Sequence, residues 1–335
     1  MAMQLSRPGM LDNGGDQNAL FLKQFAGEVL ATFEEACVMM PCHTVRTISS
    51  GKSAQFPAVG TANARYHTPG ESIIEDQDAG SNDYLSPMAT GEITVTINDL
   101  LISGVFVANI DEAKSHWDVR SEYTRQMGYA LANAADTTLI NYGLSGARAT
   151  TDRFGNTGSS AAPYLGTKID IGDASNGAHL LAGIVDAAQT LDEQNVPAND
   201  RFCVLAPSEY YLLVEENKDA INRDYGNDGN GSLASGVVLS VAGIQILKSN
   251  HMPTADWTPD AGDLGTADGA HDFVGTAGSI TKGLVFQRSA LGTVKLMDLA
   301  VETEYQVERQ GTLMVARYAM GHDILRHEAL VELAV

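Results

Sequence analysis

Basic residues are scarce in this chain: 21 Lys and Arg stand against 42 Asp and Glu, a formal net charge of −21 over 335 residues. Direct nucleic-acid binding relies on cations that neutralise phosphates, so the balance argues against a DNA- or RNA-binding module. A chain that must sit beside nucleic acid without adhering to it could carry such a charge, and so could any acidic soluble protein. Cysteine is scarcer still. Cys37, Cys42 and Cys203 are too few for a disulfide framework. No apolar run approaches the roughly 18 residues that a membrane helix needs, and Met1 to Asn18 contains no stretch like the apolar core of a signal peptide. These absences predict a soluble chain made and kept in a cytoplasm, with no membrane partner.

Apolar residues are plentiful, at 44% of the chain. That is ample for a real core, and the length fits about two compact domains or one with large excursions. Between Ala19 and Cys37, Leu22, Phe25, Ala26, Val29, Leu30 and Phe33 recur at helical spacing and give one sticky face. The pattern then changes. Val45 to Val59 is rich in Thr, Ser, Gly and small apolar residues, and in "EITVTIN" Ile93, Val95 and Ile97 alternate with Thr94 and Thr96. Both stretches read as strands, joined by the acidic, loop-like "PGESIIEDQDAGSNDYLSP". An extended hairpin with a long tip is the economical interpretation, its apolar face left for a neighbouring copy to cover.

After an apolar strand from Leu100 to Val107, Asn109 and Glu112 have the spacing of a capping box, with Asp111 beside the positive helix end. From Ile110 to Tyr142 there is no proline, and Gly143 reads as a C-terminal stop. The predicted helix is about 50 Å long, a strut rather than an ordinary globular helix. Gly146 to Gly177 reads as loop, Ala178 to Asn195 as helix, Arg201 to Leu205 as a buried strand, and "PSEYYLLVEE" as a helix with Pro207 in its first turn. A strand pair near Val237 to Leu247 lies between Gly- and Asp-rich loops, and Leu284 to Val335 is mostly strand. The class is α+β, with helices and strands segregated.

Catalytic templates fail one by one. "TISSGKSAQFPAVG", Thr47 to Gly60, contains the Gly-Lys-Ser ending of a phosphate-binding loop at Gly51, Lys52 and Ser53. The first glycine of that motif would fall at position 46, which is Arg46, and Pro57 pushes Phe56 toward extended geometry where a helix is required. Cys37, Cys42 and His43 would leave a zinc ion one ligand short at an unusual spacing, so small buried thiols are preferred. His322 and His327 lie five apart, off any shared helical face. "NRDYGNDGNGS" lacks the acid spacing and closing Glu of a calcium loop. Asp83 and the acids of Glu71 to Asp78 read as a solvated loop. No catalytic, cofactor-binding or metal site emerges, and the rival reading that stays open is a soluble nucleotide-binding enzyme using Lys52.

Four blocks, taken together and in order, carry a resemblance. "ALFLKQFAGEVLATF", "TISSGKSAQFPAVG", "DVRSEYTRQMGYALANAAD" and "SALGTVKLMDLAVE" continued by "ARYAMGHDILRHEA" resemble the major capsid proteins of short-tailed, T-odd-type bacteriophages, the podovirus and autographivirus type. The resemblance implies the tailed-phage major capsid fold, shared with the herpesvirus capsid floor. It implies an N-terminal arm over 1–44, an extended loop over 45–98, a peripheral domain over 99–177 with a spine helix at 110–142, an axial domain over 178–291, and peripheral C-terminal strands over 292–335. Function would then be structural: hexamers and pentamers of one chain closing an icosahedral shell around double-stranded DNA. Assembly in the host bacterial cytoplasm would involve a scaffolding protein and a portal or connector, and the product would be part of the virion. On the extended loop Lys52 is the nearest candidate for self-catalysed crosslinking, and no partner constellation identifies it.

Gly128 lies in mid-strut. Gly128→Pro should cost about 3 kcal/mol or more by removing a backbone donor and inserting a ring clash. Particle yield should fall before solubility does, which sedimentation of the expressed chain would measure.

Overall fold

The computed structural model describes residues 37–62, 88–97, 100–110, 119–156, 164–172, 176–216, 231–232, 237–238, 240–253 and 281–335, with a few further positions between 64 and 73. The arm helix expected before Cys37, most of the acidic loop, Glu112 and nearly all of the calcium-like stretch lie outside the described residues.

Four strands, β1 (Thr44–Thr47), β2 (Ser53–Val59), β3 (Thr90–Thr96) and β4 (Leu101–Ala108), precede a long helix, Val119–Ala147. Next come β5 (Thr167–Asp170), a second helix (Gly177–Glu193), β6 (Arg201–Leu205) and a short helix (Pro207–Glu216). Small strands follow: β7 (Gly231–Ser232), β8 (Val237–Val238), β9 (Ser240–Val241) and β10 (Ile244–Lys248). The chain closes with β11 (Thr281–Gln287), β12 (Leu291–Gln306), β13 (Gly311–Ile324) and β14 (Leu330–Ala334).

Among the described residues these strands form a four-stranded sheet, β1-β12-β13-β4, and a six-stranded sheet, β5-β14-β11-β6-β10-β9. β2 pairs with β3 alone, and β7 with β8 alone. The strand bounds follow composition: the apolar runs of β6 and β11 are covered on both sides, and β14 is buried throughout. In the second helix Asn176 caps the start by accepting from the amide of Ala178 at 2.9 Å. Its stripe of Leu180, Ile184, Ala187, Ala188 and Leu191 is buried, as the helical spacing requires.

The long helix joins the two sheets through one continuous buried stripe. Met127, Leu131, Ala132 and Ala135 pack against Val107, Val301, Met314, Ala316 and Tyr318 of the four-stranded sheet. Further along, Leu139, Ile140, Leu144 and Ala147 enter the larger core with Leu284, Phe286 and Leu330 of the six-stranded sheet. The described helix has 29 residues and spans about 43 Å. Gly143 is not its stop. The helix runs through Gly143 and Gly146 to Ala147, because these glycines face the core: a Cβ on Gly143 would stand 2.5 Å from Leu284 Cδ2, and one on Gly146 2.5 Å from Leu330 Cδ1. They are needed for close approach, which outweighs the modest helical cost of glycine.

Sheet membership also departs from the divisions drawn along the sequence. β1, within 45–98 apart from its first residue, pairs in parallel with β12, Thr44 opposite Gly292 to Thr47 opposite Lys295. β5 and β14, outside 178–291, pair with each other in the six-stranded sheet. Pairing partners are set by contacts distant in sequence, which local composition does not record.

The hairpin starts at Ser53 and keeps an antiparallel register from Ser53 opposite Thr96 to Val59 opposite Thr90. Its base is anchored within its own chain: Ala54, Val95 and Ile97 are buried against Val294 and Ala319. Val95 and Ile97 are therefore not free for a neighbouring copy, contrary to expectation. Gly321 of β13 makes this crossing possible, since a Cβ there would collide with the carbonyl oxygen of Thr96. Gly321→Ala should destabilise the unassembled chain by about 1–3 kcal/mol through overpacking, seen as a lower midpoint in urea unfolding.

Candidate functional site: the hairpin and its seat

The Gly-Lys-Ser turn forms the base of the hairpin. Gly51 takes φ +110°, a conformation that suits glycine. The Lys52 carbonyl accepts from the Ile97 amide at 2.9 Å, and Ser53 opens β2. A phosphate cradle needs amides converging at a helix start; here the chain continues as a strand and its backbone joins the ladder with β3. Pro57 sits in this strand opposite Glu92, tolerated because β2 has no second neighbour.

A second contact holds the hairpin from the side. The Tyr164 hydroxyl accepts from the Thr61 amide at 3.3 Å and lies 3.1 Å from Thr61 Oγ1. The ring meets Phe154 edge-on with centroids 5.0 Å apart, and Arg153 lies over both rings at 5.0 and 5.4 Å. Arg153 also pairs with Glu328 at 2.6 Å, with both side chains buried. Asp152 shapes the turn by accepting from the amides of Phe154 and Asn156, each at 2.8 Å. Gly91 lets the second hairpin strand reach this turn, since a Cβ would come within 3.2 Å of the Arg153 carbonyl oxygen.

The chain segment leading into β1 is held by a buried acid that carries no sequence motif. Asp136, on the buried stripe of the long helix, accepts from the Cys37 thiol at 3.0 Å and from the amides of Val38 and Met39 at 2.8 and 3.2 Å. His251 Nδ1 lies 3.2 Å from Oδ2, the oxygen that also accepts from Val38. An acid in step with Ala132 and Ile140 on an otherwise apolar stripe was the available signal.

The cysteines are buried, as expected, and are free thiols. Burial and the adjacent Asp136 push Cys37 up, Cys42 is pushed up to about 11 by burial and Asp136, and burial alone takes Cys203 to about 12. His43 does not join the cysteines at a shared centre. Its Nδ1 lies 2.8 Å from the Met39 carbonyl oxygen and its Nε2 2.5 Å from Thr293 Oγ1. Thr293 Oγ1 in turn lies 2.8 Å from His322 Nδ1. No group of three or more His, Cys, Asp or Glu with metal-binding geometry occurs among the described residues.

Exposed apolar side chains gather where the described elements run out. At the far end of the hairpin Val59 and Met88 are 58% and 53% exposed. Phe106, Ile110, Tyr305 and Val307 are exposed near the turn between β12 and β13. A two-stranded ribbon is marginal alone, and exposed apolar groups of this kind mark surfaces for contact with other chains.

A long helix bridging two sheets, with a hairpin projecting from one of them, is an arrangement this chain shares with solved phage capsids. The family model of Gp10A-like major capsid proteins matches residues 55–334, and the chain belongs to that family. It is 34% identical to the major capsid protein of Enterobacteria phage T3, over 96% of this chain and 93% of that protein. To the major capsid protein of Escherichia phage T7 it is 35% identical, over 94% of this chain and 91% of the other. The capsid structure of cyanophage P-SCSP1u superposes with a TM-score of 0.71 at 38% identity, covering 100% of this chain and 99% of that one. The chain is thus a structural component of a virion, not an enzyme, and the Lys52 nucleotide reading falls with its geometry.

Arg153→Ala should cost about 3–5 kcal/mol, because Glu328 is left buried without its cation. Tyr164→Phe should cost only about 1 kcal/mol, the value of one ordinary hydrogen bond. Urea unfolding of the unassembled variants measures both, and the order of the two losses tests the arrangement.

Proposed function

We propose that this chain closes an icosahedral shell from hexamers and pentamers of itself, around double-stranded DNA, in the cytoplasm of a bacterial host. Assembly proceeds with a scaffolding protein and a portal. The observation that carries the reading is the hairpin, seated at its base while Val59 and Met88 are exposed where its described strands stop. In the shell it extends over a neighbouring copy, which covers that end and offsets the entropy of ordering it. Residues 1–44 act as the arm. The four-stranded sheet, with the first part of the long helix, forms the peripheral region where hexamers and pentamers meet. The six-stranded sheet lies toward the capsomer centre. A net charge of −21 disfavours adhesion to packaged DNA and leaves it free to slide. Negative-stain images of the expressed full chain, with and without scaffold, should show closed shells; trimers or filaments would contradict the proposal.

Assembly should accelerate as salt rises from low to physiological strength. Like-charged copies repel, and salt confines that repulsion to about 8–10 Å, within which burial of Val59, Met88, Phe106 and Val307 can dominate. A basic scaffold patch should substitute in part. Light scattering follows the rate; faster assembly at low salt would mean that ion pairs drive the contacts.

A further inference from the structure

The hydrogen-bond chain through His43, Thr293 and His322 has one consistent proton arrangement when both rings are neutral. The Met39 carbonyl can only accept, so His43 Nδ1 carries the proton at that 2.8 Å contact and Nε2 is left as an acceptor. Thr293 therefore donates its hydroxyl proton to His43 Nε2 across 2.5 Å. The hydroxyl oxygen then accepts from His322 Nδ1 at 2.8 Å. Three elements are tied together in this way: the segment that opens β1, strand β12 and strand β13.

We propose that this chain is an acid-sensitive latch, which holds β1 on the four-stranded sheet while both histidines are neutral and releases it when both become charged.

One proton can be absorbed without rupture. If His43 gains a proton on Nε2, the Thr293 hydroxyl turns to donate to His322, whose own proton moves to Nε2. A second proton finds no such solution. Two imidazolium N–H groups would take both lone pairs of the buried hydroxyl oxygen, its own proton would lose both of the ring nitrogens that could accept it, and two positive rings would repel across it.

The surroundings reinforce this. Burial lowers His43, opposed by its bond to Met39 and by Asp136, while Lys295 and Arg288 act against charging. Burial lowers His322 too, and both His43 and Lys295 add to the effect. Asp323, next on β13, lies on the strand's other face, where burial raises its carboxyl pKa. Among the described residues Asp136 is the acid that favours a proton here, and it acts on His43.

The sign follows from the lowered values. A released segment regains ordinary imidazoles, near 6.5, and so binds more protons than the docked one below that pH. Docking is fully favourable above about 6.5 and weakens as pH falls.

β1 is well placed to respond. It has only four residues, three of them exposed, and one parallel neighbour. The Ile48 amide, donating to the Lys295 carbonyl at 2.8 Å, is the last rung before the hairpin. Loosening β1 would free one of the two connections that fix the hairpin's base.

Hydrogen exchange of the full-length unassembled chain tests the latch, with rates corrected for intrinsic pH dependence. Protection over 44–48 should fall at least about tenfold, the equivalent of one pKa unit, between pH 7 and pH 5. Protection over 201–205 and 281–287 should be retained. His322→Asn keeps a donor toward Thr293 and cannot charge, so its loss of protection should move to lower pH. Thr293→Ser keeps the hydroxyl and should behave as the parent chain. If His322→Asn does not fold, ring-proton titration by NMR in the unsubstituted chain decides. Unchanged protection over 44–48, parallel loss in 201–205, His322→Asn matching the parent, or two histidines charging near 6.5 with 44–48 still protected would each overturn the proposal.

Discussion

The long helix can serve two sheets because its last turns set Gly143 and Gly146 among Leu139, Ile140 and Leu144 on the face that meets the second one. At Gly143 and Gly146 the helix backbone comes up against Leu284 and Leu330, and a methyl group at either place would push it away. Everything distal depends on that approach. The first half of the helix has already committed its stripe to β4, β12 and β13, so a displacement at the end would be passed along a rigid rod. The glycines exchange some helical propensity for the position of the whole four-stranded sheet.

Fixing the two sheets leaves the hairpin as the part with the least support. Its base shares a small core with Val294 and Ala319, and its flank leans on the Arg153, Phe154 and Tyr164 cluster. Among the described residues the ribbon pairs with no third strand, and Val59 and Met88 are exposed. The division of labour is physical: a small apolar core seats the base, a buried charge pair and stacked rings hold the flank near Thr61 and Gly91, and exposed Val59 and Met88 are left for another chain to cover. A shell subunit needs both properties, since a loosely seated hairpin would find no defined partner and a self-sufficient one would need none.

Much of this was legible in the sequence where periodicity and turn chemistry govern locally. Arg201–Leu205 and Pro207–Glu216 coincide with the expected strand and helix, and "EITVTIN" gives the alternation of β3. Failure of the phosphate-loop reading was also legible, since Arg46 stands where the motif needs glycine and Pro57 where it needs helix. Three things were not. Gly143 has the local signature of a stop, and only its tertiary neighbours say otherwise. Val95 and Ile97 have the pattern of an exposed sticky face, but the strands that cover them lie some two hundred residues on, at Val294 and Ala319. Asp136 and Thr293 bear no motif, because their roles come from what the fold brings to them. Comparison of whole blocks supplied the family where single residues could not.

The state of the three thiols bears on how such a particle can be handled chemically. Each cysteine is buried, and each is held on the protonated side of neutrality, where attack on oxidants or alkylating reagents is slow. A shell built from many copies would carry no ready native thiolate. Its cohesion would then be indifferent to the passage from a reducing cell interior to oxidising surroundings. A cysteine introduced on the outer surface could be coupled to a dye or a cargo without first removing the three that nature placed inside.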